Sequence, residues 1–294
     1  MTTNSLEGRY DTEMPAAGAV FENSFMSLGL EDLISHCDHY EIVDYFRKWI
    51  PDHQPVLEAG CGSGRWVGWF VKNGWQAAGL DWSEACCERA RKLIPQARFV
   101  AGDMRDMPFA DGEFGSIVSL GAVEHSAEGP LRSLKEYRRV LRSGGIAIIT
   151  VPYLSLARRW SHVAGLPALI IKRSNLIRTL LGKKKGARTI REAKAETNPD
   201  YSAEFVMTEK GWEFYQYHFT KPQMRDCLAD AGLEITEEFV EFGDEGILHN
   251  FGRIAGKYNF AQSKVELSLV GRLLRNFLPI GTCGHMLCYL VKKP

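Results

Sequence analysis

The sequence lacks a surplus of either charge, since 36 Lys and Arg stand against 36 Asp and Glu. No polyanion or membrane partner follows from the totals, so any electrostatic signal must be local. It also lacks a disulfide framework: the seven cysteines are odd in number, and Cys86 and Cys87 are adjacent. A reducing cytoplasm is the compartment expected. No apolar run is long enough to span a bilayer, and the opening MTTNSLEGRYDTEM has neither a basic leader nor an apolar stretch, so a soluble protein is expected. Paired zinc-ligand spacing is missing too. His36-Cys37-Asp38-His39 and the run from Cys283 through His285 to Cys288 gather soft ligands without it, and no metal is expected. There is no internal repeat and no low-complexity tract.

What is present is alternation. Asp38 to Ile50 places apolar groups at helical spacing and ends at Pro51, predicting a helix that leads into the first strand. Strands are predicted at Val56–Ala59, Ala77–Leu80, Arg98–Ala101, Ser116–Leu120 and Ile146–Val151, with helices at Trp66–Asn73, Ser83–Leu93 and Pro130–Leu141 between them. A helix at Lys221–Ala231, closed by Gly232, precedes two more strands, Glu234–Glu241 and Met286–Val291. Seven strands alternating with helices predict an α/β fold: a Rossmann-like, doubly wound, mostly parallel sheet with helices on both faces and a lid-like insertion after strand five.

At the exit of the first strand stands VLEAGCGSGRW, Val56 to Trp66. Gly60, Gly62 and Gly64 allow positive φ and close approach of a ligand to bare backbone. A tight strand-to-helix turn would explain the glycines alone. The carboxylates decide against that reading, because Asp81 ends the second strand and Asp103 the third, both where a ligand edge would pass. Dinucleotide loops have the spacing G-x-G-x-x-G and set a pyrophosphate on the helix N-terminus. Here the spacing is G-x-G-x-G, and Glu58 would repel a diphosphate while attracting an ammonium and a sulfonium. S-adenosylmethionine carries both.

Val56 to Tyr153 resembles the class I S-adenosylmethionine-dependent methyltransferases, of the type 11 group that includes the ubiquinone and menaquinone biosynthesis enzymes. The resemblance rests on EAGCGSG (Glu58 to Gly64), GLDWS around Asp81, GDM around Asp103, PFADGEFGSIVSLGAVEH and YRRVLRSGGIAIITVPY. It implies that the glycine backbone, Cys61 and Glu58 line the methionine part of the cofactor, with Leu120 and Gly121 meeting its ammonium through carbonyls. It implies further that Asp81, beside Ser83, accepts the ribose hydroxyls, that Asp103 accepts from the adenine amine, and that Met104 and Trp82 cover the base. One departure is Phe114-Gly115, where the family commonly has Phe-Asp.

Residues 1–55 then read as an N-terminal helical cap, 56–153 as the cofactor-binding core, 154–220 as an acceptor lid and 221–294 as the rest of the sheet. His125, in GAVEHS, is the candidate base, although bracing of the following helix is the preferred role. Tyr153, His218 and His249 are candidate acceptor contacts. The lid is basic: Ser155 to Glu196 holds eleven Lys or Arg against Glu192 and Glu196. It reads as a cover for a small-molecule or lipid-linked acceptor, next as a peripheral membrane contact through Leu166, Leu169, Ile170, Ile171 and Leu181. Nucleic acid is a distant third, since the aromatics of GWEFYQYHF stand apart from the charges. The rival functions are an NAD(P)-dependent oxidoreductase and a non-catalytic cofactor-binding regulator.

Overall fold

The computed structural model describes residues 29–164, 190–208, 210–259 and 264–294. Along the chain run α1 (Leu30–His36), α2 (Ile42–Trp49), β1 (Val56–Ala59), α3 (Arg65–Lys72), β2 (Ala77–Asp81), α4 (Glu84–Leu93), β3 (Arg98–Ala101), β4 (Phe114–Leu120), α5 (Leu131–Val140) and β5 (Leu141–Pro152). Then come α6 (Leu156–Ala164), α7 (Ile190–Ala195), β6 (Ser202–Thr208), β7 (Gly211–His218), α8 (Lys221–Asp230), β8 (Glu234–Glu241), α9 (Gly243–Phe251), β9 (Gly256–Asn259), β10 (Lys264–Leu267), α10 (Leu269–Phe277), α11 (Ile280–Cys283) and β11 (Met286–Lys292). The apolar residues Leu166, Leu169, Ile170, Ile171 and Leu181 of the basic segment lie outside the described residues.

The main sheet is seven-stranded, in the order β3-β2-β1-β4-β5-β11-β8. β1 pairs in parallel with both β2 and β4, whereas β11 is antiparallel to β5 and β8. Strand order therefore reverses between β1 and β4, which opens a crevice at the carboxyl ends of those two strands. Period-two patterning sets the layers. Leu57, Ile117, Ile149 and Tyr289 face one core with Tyr137 of α5 and Leu228 of α8, while Val56, Val118, Ile148 and Leu290 face another with Phe46 of α2 and Trp69 of α3.

Several elements differ from the sequence expectation. The helix predicted from Asp38 to Ile50 is broken: Cys37–His39 is a 3-10 turn, Tyr40 is extended, and α2 starts at Ile42. The Asp38 carboxylate accepts from Trp69 Nε1 at 3.0 Å and from Arg47 at 2.8 Å, so it ties the turn to α3 rather than continuing a helix. β5 begins five residues before Ile146, with Leu141 paired to Phe114 and the extra residues of the register shift lying in β5. Gly115 sits opposite that irregularity, and a Cβ there would overlap the Gln54 side chain. The departure from Phe-Asp thus makes room for the Gln54 side chain.

Within the aromatic run GWEFYQYHF, Gly211–His218 form β7, paired antiparallel to β6 as a hairpin. Between β8 and β11 the structure also adds α9, the β9–β10 hairpin, α10 and α11, none of which the sequence predicted. These short elements share a small core of Ile247, Ala255 and Cys283 with Ala157, Leu274 and Leu278 packed against it. Among the described residues no helix is long and apolar enough to cross a membrane.

Candidate functional site

A cavity of about 590 Å³ opens at the carboxyl ends of β1, β2 and β4. Eleven of the twelve predicted cofactor positions line it: Glu58, Gly60, Cys61, Gly62, Asp81, Trp82, Ser83, Asp103, Met104, Leu120 and Gly121. Gly64 does not. It caps α3 in a left-handed conformation at φ 80°, and a Cβ on it would lie 2.8 Å from the Phe99 ring. Bare backbone is needed there for packing under Phe99. Gly60 and Gly62 also have positive φ, at 83° and 49°. A Cβ on Gly60 would meet the Ala122 Cβ at 2.6 Å, whereas Gly62 has nothing within 4 Å and faces open space.

The acids are placed by the sheet and held by backbone donors. Asp81, at the end of β2, accepts from Gly62 N–H at 2.7 Å through Oδ2 and from Ser83 N–H at 3.0 Å through Oδ1. The Ser83 side chain in turn caps α4 by accepting from Cys86 N–H. One carboxylate therefore fixes both the glycine loop and the start of the next helix. Glu58 is buried and accepts from Val67 N–H at 3.1 Å. Burial pushes its pKa up to about 8, against the pull of Arg65 and of that hydrogen bond. Asp103 is at the rim, where Arg105 grips it through Nε and Nη2 at 2.6 to 3.0 Å and holds its carboxyl below the usual range. Trp82 is 65% exposed and stands at the mouth, while Met104 packs deeper against the main core.

His125 lines the cavity in a 3-10 turn after β4. Its Nδ1 is 2.8 Å from the Tyr215 carbonyl, and its ring meets the Tyr215 ring edge-on at 5.3 Å. Burial lowers its pKa, opposed by hydrogen bonds to the carbonyls of Tyr215 and Gly121, so the ring is engaged on backbone. It thereby contacts the β6–β7 hairpin. Tyr217 adds a second latch, donating from its hydroxyl to the Ala127 carbonyl.

The three acceptor candidates do not line the cavity. Tyr153 bridges to Phe219 beside the core. His218 is buried with Nε2 3.5 Å from Glu204. His249 is stacked on His285 at 4.3 Å between centroids. Sequence reasoning missed Arg65, Ala122, Phe214 and Tyr215, all of which line the cavity. Arg65 directly follows the glycine loop, and the two aromatics lie inside the run already noted. It also missed Glu124, buried beside His125, whose Oε2 has no hydrogen-bond partner among the described residues and whose carboxyl burial raises to about 8. Among the described residues no three His, Cys, Asp or Glu side chains are grouped to hold a metal.

These donors and acceptors fit S-adenosylmethionine. A cation beside the buried Glu58 carboxyl favours its ionised form, whereas an anion would push its pKa up further. A reversal point in a doubly wound sheet, a bare loop and acids on β1, at the end of β2 and two residues after β3 define a nucleoside-cofactor-binding α/β domain.

Residues 57–149 match the family model described as a methyltransferase domain. Malonyl-[acyl-carrier protein] O-methyltransferase of Erwinia pyrifoliae is 39% identical over 95 residues, covering 31% of this chain and 34% of the relative. Demethylmenaquinone methyltransferase of Chlorobaculum parvum is 30% identical over 156 residues, covering 51% of this chain and 61% of the relative. In fold, the chain is similar to one from the complex of the Haloferax volcanii Trm112 methyltransferase activator, with a TM-score of 0.55, 17% identity and 95% of each chain covered. The first three curated relatives are matched over only 44%, 34% and 47% of their own length. Over residues 57–149 the chain thus matches a methyltransferase domain, and the site on the same strands fits S-adenosylmethionine as its cofactor.

Proposed function

We propose that this chain transfers a methyl group from S-adenosylmethionine to a small-molecule or lipid-linked acceptor. The observation that carries the reading is the convergence of Glu58, Asp81 and a positive-φ glycine loop on one cavity. In this assignment Asp81 accepts from the ribose hydroxyls, Asp103 from the adenine amine, and Met104 and Trp82 cover the base. Glu58 and the loop backbone, with Cys61, line the methionine part, and the carbonyls of Leu120 and Gly121 meet its ammonium. When bound, the cofactor supplies a methyl group already activated by a sulfonium.

The residues of this chain then have to orient the acceptor and keep water out. Phe214 and Tyr215 close one side of the cavity, and His125 and Tyr217 fix the hairpin that carries them. Orientation alone supplies roughly 7 to 11 kcal/mol toward such a displacement, so a general base is not required. The two named relatives act on different acceptors, malonyl-acyl-carrier protein and demethylmenaquinone. What they share with this chain supports the cofactor site; the acceptor is to be set by β6–β7 and by the residues following β5.

Titration calorimetry with S-adenosylhomocysteine and with NAD tests the reading. Binding of the first and not the second is expected, and binding of NAD alone would establish the oxidoreductase rival. If S-adenosylhomocysteine binds but no labelled methyl group reaches any acceptor in a small-molecule and lipid extract, the regulator reading gains. His125→Ala is expected to leave S-adenosylhomocysteine affinity unchanged while hydrogen exchange in residues 202–218 speeds up by about tenfold, the loss of one buried hydrogen bond. Unchanged exchange with reduced turnover would instead make His125 the base.

A further inference from the structure

Of eleven large apolar side chains that stand exposed among the described residues, only Trp82 and Leu93 lie outside the segments 156–160 and 251–280. The other nine belong to elements that touch: α6 packs on α9 and α11, and α9 packs on α10. The inner side of these helices is accounted for, because Ala157 of α6 and Leu274 of α10 pack on the small core around Ile247. The outer side is not. Leu156 and Trp160 lie one turn apart on α6, 52% and 73% exposed; Leu269, Leu273 and Phe277 form a stripe at four-residue spacing along α10, 69%, 49% and 81% exposed. Scattered apolar residues on a surface are ordinary, but a concentration of this kind marks an interaction face.

Charge selects the occupant. The chain as a whole is neutral, yet α6 (LARRWSHVA) and α10 (LVGRLLRNF) contain no acid and four arginines. Arg158 and Arg275 turn inward to Glu204 and Asp244. Arg159 and Arg272 are exposed beside the apolar stripes, as is Arg253 next to the exposed Ile254. A second copy docking this face on itself would bring the same arginines together around a shared two-fold axis, which costs energy. An anionic bilayer does the opposite, accepting the apolar side chains at the acyl boundary and the arginines among its headgroups. Trp160 suits that boundary, with an apolar ring and a polar N–H.

We propose that the face formed by α6, the end of α9 and α10 docks on the surface of an anionic lipid bilayer. No residue between 165 and 189 is counted in it, and it does not depend on the transfer reaction.

Sedimentation with vesicles of phosphatidylcholine, alone and with phosphatidylglycerol, reads the docking directly. The protein is expected to sediment with the anionic vesicles, less so as salt rises. Leu273→Asp combined with Phe277→Asp should weaken that partition by at least about tenfold, since two apolar groups leave the acyl boundary. Leu93→Asp, an exposed apolar residue elsewhere, should change nothing. Should the double variant fail to fold, as judged by circular dichroism, Arg159→Glu with Arg272→Glu gives the same reading through charge. Absence of sedimentation with anionic vesicles overturns the proposal, as does equal sedimentation of wild type and variants. A dimer in light scattering that the double substitution dissociates would likewise overturn it by giving the face to a second copy.

Discussion

Asp81→Ala is expected to lower affinity for S-adenosylhomocysteine by about a hundredfold, roughly 3 kcal/mol, in titration calorimetry. Two effects combine in that figure. The ribose hydroxyls lose their acceptor in the proposed assignment, and the N–H groups of Gly62 and Ser83 lose the oxygens that bind them at 2.7 and 3.0 Å. The second effect also acts without ligand, because the glycine loop and the start of α4 are no longer tied together, so the thermal midpoint should fall by a few degrees. Asp81→Asn separates the two. An amide keeps one acceptor oxygen and turns a donor toward one of the two backbone N–H groups, so its stability should fall about as far as that of the alanine variant while some affinity returns. Affinity equal to wild type in both variants would remove Asp81 from the ligand's surroundings and leave it a loop brace.

Binding should also move a proton, and Glu58 is the group that moves it. Without ligand its carboxyl is held up near 8 by burial, so at pH 7 it is mostly protonated. A cation settling beside it favours the ionised form, so binding at pH 7 should release close to one proton. Calorimetry in two buffers of different ionisation enthalpy measures that release. Affinity should rise with pH from about 5 to about 8 and level off above. The sign for stability is the reverse: a carboxyl whose folded pKa lies above its ordinary value of 4.5 contributes most below that value, and the contribution is lost as pH climbs through about 8. Glu58→Gln keeps the acceptor for Val67 N–H, so the fold should hold, while the proton release disappears and affinity drops by about 10- to 100-fold, the worth of a charge-assisted contact. Proton release that persists in Glu58→Gln would assign it to another group, with Glu124 the nearest candidate by burial.

Each of these effects depends on residues that can be named before any fold is known. The glycine spacing, the acid two positions ahead of Gly60 and the acids at the end of β2 and two residues after β3 are local patterns. Period-two runs fixed their strands, and the βαβ alternation put all three acids at the same end of one sheet. The sequence therefore determined the sheet, the cavity's floor and the kind of ligand it fits. Gly64 shows the limit even there: spacing grouped it with Gly60 and Gly62, but the Phe99 ring from β3 claims its open side.

Only the tertiary structure decided what surrounds that floor. His125 could be read from its position as a base or a brace, and only the fold shows that its ring nitrogen meets the carbonyl of Tyr215, ninety residues away. His218 and His249 lay in the right half of the sequence and fall outside the cavity, because β7 and α9 carry them to Glu204 and His285. The elements between β8 and β11 were invisible beforehand, since strands of four residues and short helices leave little periodicity and are held by contacts with one another. Local chemistry is written in neighbouring residues, whereas the partner of a side chain and the exposed side of a helix are fixed by contacts between residues far apart in the chain, which no short stretch encodes.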